Sequence, residues 1–191
     1  MQKQRGFTLI ELLITLSIAV ILVSLAAPSF SRLIKSNSMS SGVNTFMSDL
    51  RFARSESVRL GGGVVMCRSD DPEAAAPACG AGLGPNNNGW VSGWIVFQDL
   101  DSNGDINGTE PILRVQAPVK TIDSILESGA ASSTRLRFTA TGRLLDAGSA
   151  AQMTFGGSGF SSDLKRVMCI SLGGRARIAG DGSTTCGSGN E

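Results

Sequence analysis

Histidine is absent from all 191 residues, and so is tyrosine. Imidazole is the usual general base and the usual partner of a nucleophilic serine or cysteine. Without it, most hydrolase chemistry is closed, and no cluster of residue types points to an enzyme or a cofactor. Four settings remain for ligand or partner chemistry. They are paired arginines near the C-terminus, an acidic loop with a central glycine, one glutamate inside an apolar run, and four cysteines. Lys plus Arg is 17 and Asp plus Glu is 16, a net charge of +1. Affinity for a polyanion must therefore come from a local cluster.

The arginines lie in Cys169-Ile170-Ser171-Leu172-Gly173-Gly174-Arg175-Ala176-Arg177-Ile178-Ala179-Gly180. Gly173-Gly174 between two strand-like runs reads as a tight hairpin. Alternation turns Ala176 and Ile178 inward and lets Arg175 and Arg177 project together, Cα atoms ~6.7 Å apart. Paired guanidiniums on a stiff ribbon suit phosphate oxygens, which they grip bidentately. Lys165 and Arg166 add charge nearby. The competing reading is that two exposed arginines keep a sheet edge soluble. Arg135 and Arg137 alternate in the same way, so the pattern alone is cheap.

The acidic loop runs from Asp99 through Asp101, Asn103, Gly104, Asp105 and Asn107 to Glu110. It satisfies the calcium-loop pattern D-x-[DN]-x-[DN]-G-x5-E, with oxygen donors at positions one, three, five and twelve. Its flanks, 94–98 and 112–115, look like strands rather than the helices of an EF-hand. Asn, Asp and Gly also serve a long hairpin turn. The plain turn is favoured, and no metal site is assigned.

From Phe7 to Phe30 the chain reads FTLIELLITLSIAVILVSLAAPSF, with Glu11 the only charge. A helix of that length covers about 36 Å, enough for a bilayer core of about 30 Å. Lys3 and Arg5 precede it, so residues 1–6 stay cytoplasmic and the rest crosses. Ser24-Leu25-Ala26 resembles a signal-peptide cleavage site. The apolar run, however, exceeds a signal core of about 7–15 residues. Glu11 also costs roughly 2.5–3.5 kcal/mol in lipid, so it calls for a partner.

Cysteines 67, 79, 169 and 186 fall beyond this span, on the side where thiols oxidise. Three pairings are possible. Cys67–Cys79 and Cys169–Cys186 are favoured, because each pair is near in sequence and staples a loose segment. No CxxC is present, which argues against zinc.

The elements that position these groups follow from periodicity. Met39, Val43, Phe46, Leu50 and Ala53 recur at steps of four and three, a helical stripe. One helix is expected from about Phe7 to Arg59, bending near Pro28 and weak at Ser40-Ser41-Gly42, with Gly61-Gly62-Gly63 as its stop. The stripe is read as core rather than subunit contact. Arg51, Arg54 and Arg59 are read as solvated helix-face charges. Strands are expected at 64–68, 93–98, 112–115, 120–125, 135–139, 152–155, 166–172 and 175–179. Residues 69–89 read as a long surface loop and 187–191 as a mobile tail. The fold class is α+β, a long N-terminal helix packed on a head of antiparallel β-sheets. Its parts are a leader (1–6), a membrane helix (7–30), an amphipathic continuation (31–60) and a β-rich head (61–191).

Arg5-Gly6-Phe7-Thr8-Leu9-Ile10-Glu11 resembles the type III signal of type IV prepilins and type II secretion pseudopilins. The resemblance implies cleavage after Gly6 by prepilin peptidase, methylation of Phe7 and retention of Glu11, with Pro28 where these proteins commonly bend. In a helix bundle the new Phe7 amine would pair with Glu11 of a neighbouring subunit and set the axial register. Two basic residues, Lys3 and Arg5, leave with the leader, so 15 face 16 acids. Leu50–Arg59 followed by Val64-Val65-Met66-Cys67 resembles the GspH/FimT branch of minor pilins and pseudopilins, with Ser57 in place of the usual alanine. Gly93-Trp94-Ile95-Val96-Phe97 before an acidic turn is similar to the same branch. Gly174, Arg175 and Arg177 match the C-terminal GRxR motif of FimT-like minor pilins, which implies DNA binding during natural transformation. The resemblance thus implies an inner-membrane protein with a periplasmic head, whose partners are prepilin peptidase, other pilins or pseudopilins, membrane lipid and DNA. The alternative is a GspH-like pseudopilin or tip-complex subunit without DNA binding.

Overall fold

The computed structural model describes residues 6–128, 134–145 and 151–187. The chain divides into two compact units, Met1–Asn37 and Ser38–Glu191. The helix α1, Leu9–Leu60, contributes to both. In the first unit its described side chains stand exposed from residue 6 to residue 35, including Ile14, Ile18, Leu22 and Leu25. This stretch is long and apolar enough to cross a membrane. The bend expected at Pro28 rests on a side chain outside the described residues, as do 1–5 of the leader and 188–191 of the tail.

In the second unit the periodic stripe is core. Met39, Val43, Phe46, Leu50 and Ala53 are all buried. The ring of Phe46 meets Trp90, Trp94 and Phe155 edge-on, at centroid distances of 5.5, 5.2 and 5.6 Å. Such contacts add about 0.5–1.5 kcal/mol each beyond area burial. Helix α1 runs unbroken through Gly42, the expected weak point. The missing side chain there admits Ile122, whose Cδ1 would lie 2.9 Å from a Cβ at that position. The helix ends at Leu60, where Gly62 donates to the Ser57 carbonyl at 2.7 Å.

Eight strands follow: β1 (Val64–Arg68), β2 (Trp94–Gln98), β3 (Ile112–Gln116), β4 (Ser124–Ser128), β5 (Arg135–Phe138), β6 (Ala151–Gly156), β7 (Arg166–Ile170) and β8 (Ala176–Gly180). They form two four-stranded sheets, β3-β2-β1-β5 and β4-β6-β7-β8, antiparallel throughout. Both sheets share one core with α1. Val65, Cys67, Ile95 and Phe97 form a second cluster on the other face of the first sheet, with Cys79 and Ile106 packed on it. Burial on both faces explains why β1 and β2 read as near-continuous apolar runs.

The expected fourth strand, 120–125, is corrected. Residues 120–123 turn instead, and β4 starts at Ser124. Asp123 stops an earlier start: its N–H donates to the Gly156 carbonyl, and its carboxylate accepts the Gly159 N–H. Ile122 is thereby freed to fill the core beside Gly42.

Candidate functional site

The arginine ribbon is the hairpin of β7 and β8. Its connection is Leu172-Gly173-Gly174, one residue longer than the expected two-residue turn. Gly174 donates to the Ser171 carbonyl at 2.8 Å, and Ser171 donates to the Arg175 carbonyl at 2.9 Å. Gly174 adopts φ +70°, a conformation that costs other residues a Cβ clash. Register then places Cys169 opposite Arg177 and Ile170 opposite Ala176, with a shift between Val167 and Met168. Arg175 and Arg177 are both exposed, and strand alternation sends them to one side.

That side is the one carrying the disulfide. Gln152, Cys169 and Arg177 are register neighbours across β6, β7 and β8. Cys169 is bonded to Cys186, and the Cys186 N–H donates to Gln152 Oε1 at 2.8 Å. The other bridge joins Cys67 to Cys79. These are the two pairings that sequence proximity favours, and no described cysteine is free.

Two expectations at the hairpin need correction. Ile178 does not bury itself: it is 48% exposed, on edge strand β8, where it lines an open depression. Arg166 does not extend the arginine pair. Its guanidinium donates to the carbonyls of Asp163 and Lys165, and it borders an open depression with Asp163, Ile178 and Asp181. The Ser183 hydroxyl and N–H hold the Asp181 carboxyl below its ordinary range, and Arg166 adds to the effect.

The look-alike pair behaves differently. Arg135 donates to the Gly104 carbonyl and pairs with Asp105. Arg137 donates to the Ser102 carbonyl and lies 4.0 Å from Asp99 Oδ2. Both, on strand β5, are engaged by the acidic loop. Among the described residues Arg175 and Arg177 have no such acidic partner. Equal alternation therefore conceals unequal electrostatics.

Sequence reading missed how the hairpin is held. Arg54, read there as a solvated charge, is half-buried and donates from Nε to the Gly142 carbonyl at 3.0 Å. Gly142 in turn lies under Gly174. Leu144 donates to the Leu172 carbonyl at 3.0 Å, tying the hairpin tip to the segment after β5. Asp49 was also missed: it is buried on α1 and accepts from Trp94 Nε1 at 3.0 Å and from Arg114 at 2.6 Å. Buried Arg68 ends β1, pairs with Asp70 and donates to the Ala81 carbonyl, with Gly80 and Gly84 pressed against its guanidinium. No local motif marks Arg54 or Asp49, since Gly142, Trp94 and Arg114 are far off in sequence, and Arg68 reaches beyond Asp70 to Ala81.

At the N-terminus Gly6 and Phe7 are exposed. Thr8 and Glu11 form a capping box. The Thr8 N–H and hydroxyl each donate to Glu11 Oε2 at 3.0 Å, and the Glu11 N–H donates to Thr8 Oγ1 at 3.3 Å.

Against this geometry, a family profile described as type II transport protein GspH matches residues 42–174. That is more than half of the chain. The chain belongs to the GspH family. A second profile, the prokaryotic N-terminal methylation motif, matches residues 1–27 of this GspH-family chain. Together they make it a type IV minor pilin or pseudopilin, processed as prepilins are. Two crystal structures of the type IV minor pilin FimU from Pseudomonas aeruginosa strain PAO1 share its fold at 20% identity. One covers 80% of this chain and 95% of FimU, with a TM-score of 0.56. The other crystal form covers 78% and 98%, with a TM-score of 0.50. No curated protein matches it in sequence. The GspH match stops at residue 174, so Arg175 and Arg177 lie just past it.

Proposed function

We propose that this GspH-family chain is a minor pilin that binds DNA through Arg175 and Arg177, without base preference, for uptake in natural transformation. The observation that carries the reading is the contrast between two arginine pairs. Arg135 and Arg137 are engaged by the acidic loop, whereas Arg175 and Arg177 stand exposed on a disulfide-stapled hairpin. Guanidiniums held this way take phosphate oxygens and carry no base information. Two phosphate contacts give a salt slope of only about −1.8 on duplex DNA, hence weak binding per subunit. Several copies in one fibre would add avidity.

The same reading has prepilin peptidase cut after Gly6, Phe7 become methylated, and Glu11 pair with a neighbouring amine during assembly with other pilins. The head faces the periplasm while the helix sits in inner-membrane lipid. The second reading, a GspH-like pseudopilin without DNA contact, is supported by the family description. Full-length protein in detergent, with and without Arg175→Ala plus Arg177→Ala, separates the two. DNA retention and uptake should vanish in the double variant while pili still assemble. Equal gel-shift affinity in both proteins would remove the DNA reading.

A further inference from the structure

Neither pilin assembly nor DNA contact accounts for the acidic loop between β2 and β3. Its first and twelfth residues, Asp99 and Glu110, are brought side by side by the ladder itself. Gln98 donates to the Pro111 carbonyl at 2.9 Å, closing the sheet one residue outside them. Leu100 then donates to Glu110 Oε1 at 2.8 Å. In an EF-hand two helices bring these positions together; here two antiparallel strands do so.

One carboxylate oxygen from each of Asp99, Asp101 and Glu110 lies within 4.8 Å of the others. Oxygens bound to one calcium ion at 2.3–2.6 Å lie no more than about 5 Å apart, so the three fit a single coordination sphere. Gly104, at φ +82°, makes the sharp turn at position six.

An independent observation points to a ligand. Asp99 is 5% exposed. Its Oδ2 accepts the Gly104 N–H at 2.9 Å and faces Arg137 at 4.0 Å. Its Oδ1 is buried and accepts no hydrogen bond. A buried carboxylate oxygen left without a partner is costly, and a cation is the natural remedy.

We propose that residues 99–110 bind one calcium ion through Asp99, Asp101 and Glu110, with Asn103 and the Asp105 carbonyl at positions five and seven. The donors are all oxygen, which suits a hard cation and not zinc. A sphere filled by side chains and a carbonyl favours calcium over magnesium, which keeps its waters. Arg135 and Arg137 brace the loop from outside by holding Asp105, Gly104 and Ser102. The ion would fix the loop whose Ile106 covers the outer face of the first sheet.

The test is calorimetric titration of chelator-stripped full-length protein in detergent with calcium chloride, alongside thermal melts in calcium, magnesium or chelator. Saturable binding is expected with Kd of about 10⁻⁴–10⁻³ M, the range of extracellular calcium modules. Calcium should raise the melting midpoint more than equal magnesium does. Asp99 is buried and its loss endangers folding, so exposed Asp101 carries the mutational arm. Asp101→Asn should fold as wild type in chelator and bind calcium at least ~10-fold more weakly, having lost one charged ligand. Three results would each overturn the proposal: no saturable heat at ~10 mM calcium, an equal magnesium shift, or unchanged affinity in Asp101→Asn.

Discussion

A Cβ built on Gly174 would fall 2.2 Å from the carbonyl oxygen of Gly142. The two glycines meet under Arg54, whose Nε holds that same carbonyl. The glycine of the Gly-Arg-x-Arg sequence is thus a packing residue, and the arginines are free of this duty. Gly174→Ala should destabilise the head without touching a ligand. An alanine at positive φ costs about 1–2 kcal/mol before the clash is counted. A total of about 2 kcal/mol or more lowers the melting midpoint by roughly 4–8 °C at this chain length. Arg175→Ala with Arg177→Ala should stay within about 0.5 kcal/mol of wild type. Thermal melts of the two proteins side by side check the division of labour.

Asp49 joins α1 to the first sheet through Trp94 and Arg114, and Arg114 also lies 4.0 Å over the Phe52 ring. Asp49→Ala leaves the buried Trp94 indole N–H unpaired and removes the anion beneath Arg114. Breaking a fully buried ion pair costs about 3–5 kcal/mol. Arg114 remains 38% exposed and can turn to water, so about 2–3 kcal/mol is expected. Tryptophan fluorescence during urea unfolding in detergent reads it, since both tryptophans, Trp90 and Trp94, are buried in this core. A shift in midpoint with unchanged slope is the expected form.

Much of this fold was legible because its signals are local. The stripe from Met39 to Ala53 repeats every helical turn, and each member is buried. The reading of short apolar runs between Gly, Asn, Ser and Asp clusters placed β1, β2, β3, β5, β6, β7 and β8 within two residues of their observed ends. It failed at 120–123, where Ile122 looked like part of a strand but serves as a plug beside Gly42. It failed again at Ile178, because alternation gives a side chain's face and not whether anything covers it. The long-range polar contacts were invisible for the same reason. Arg54 reaches Gly142 across 88 positions and Asp49 reaches Arg114 across 65. The unequal fate of Arg175 and Arg135 depends on which loop lies beside each strand, which no spacing records.

The bridge Cys169–Cys186 should set how firmly the hairpin is held. It closes a separation of 17 residues, and a loop of about 15 gains roughly 3 kcal/mol from closure. Cys169→Ser with Cys186→Ser should therefore lower stability by about that amount. Arg177, the register neighbour of Cys169, loses its fixed setting. DNA affinity should fall in the variant even below its melting transition. Unchanged affinity would show that the bridge stabilises the fold without positioning the arginines.

Glu11 has one observed role and one proposed role, and a single substitution separates them. In the single chain it completes a capping box with Thr8, accepting from both the Thr8 N–H and hydroxyl at 3.0 Å. Glutamine serves equally well at that position of a capping box. The register role instead needs a negative charge to meet a neighbouring Phe7 amine where water is excluded. Glu11→Gln therefore keeps the cap and removes the charge. It should enter the membrane at least as well as wild type, because a charged side chain is costly in lipid and a neutral amide less so. Cleavage after Gly6, followed by mass spectrometry, should proceed. Incorporation into sheared pili, followed by immunoblot, should be lost. Wild-type incorporation of Glu11→Gln, with failure only in Glu11→Ala, would reduce the residue to a helix cap and leave subunit register to side-chain packing.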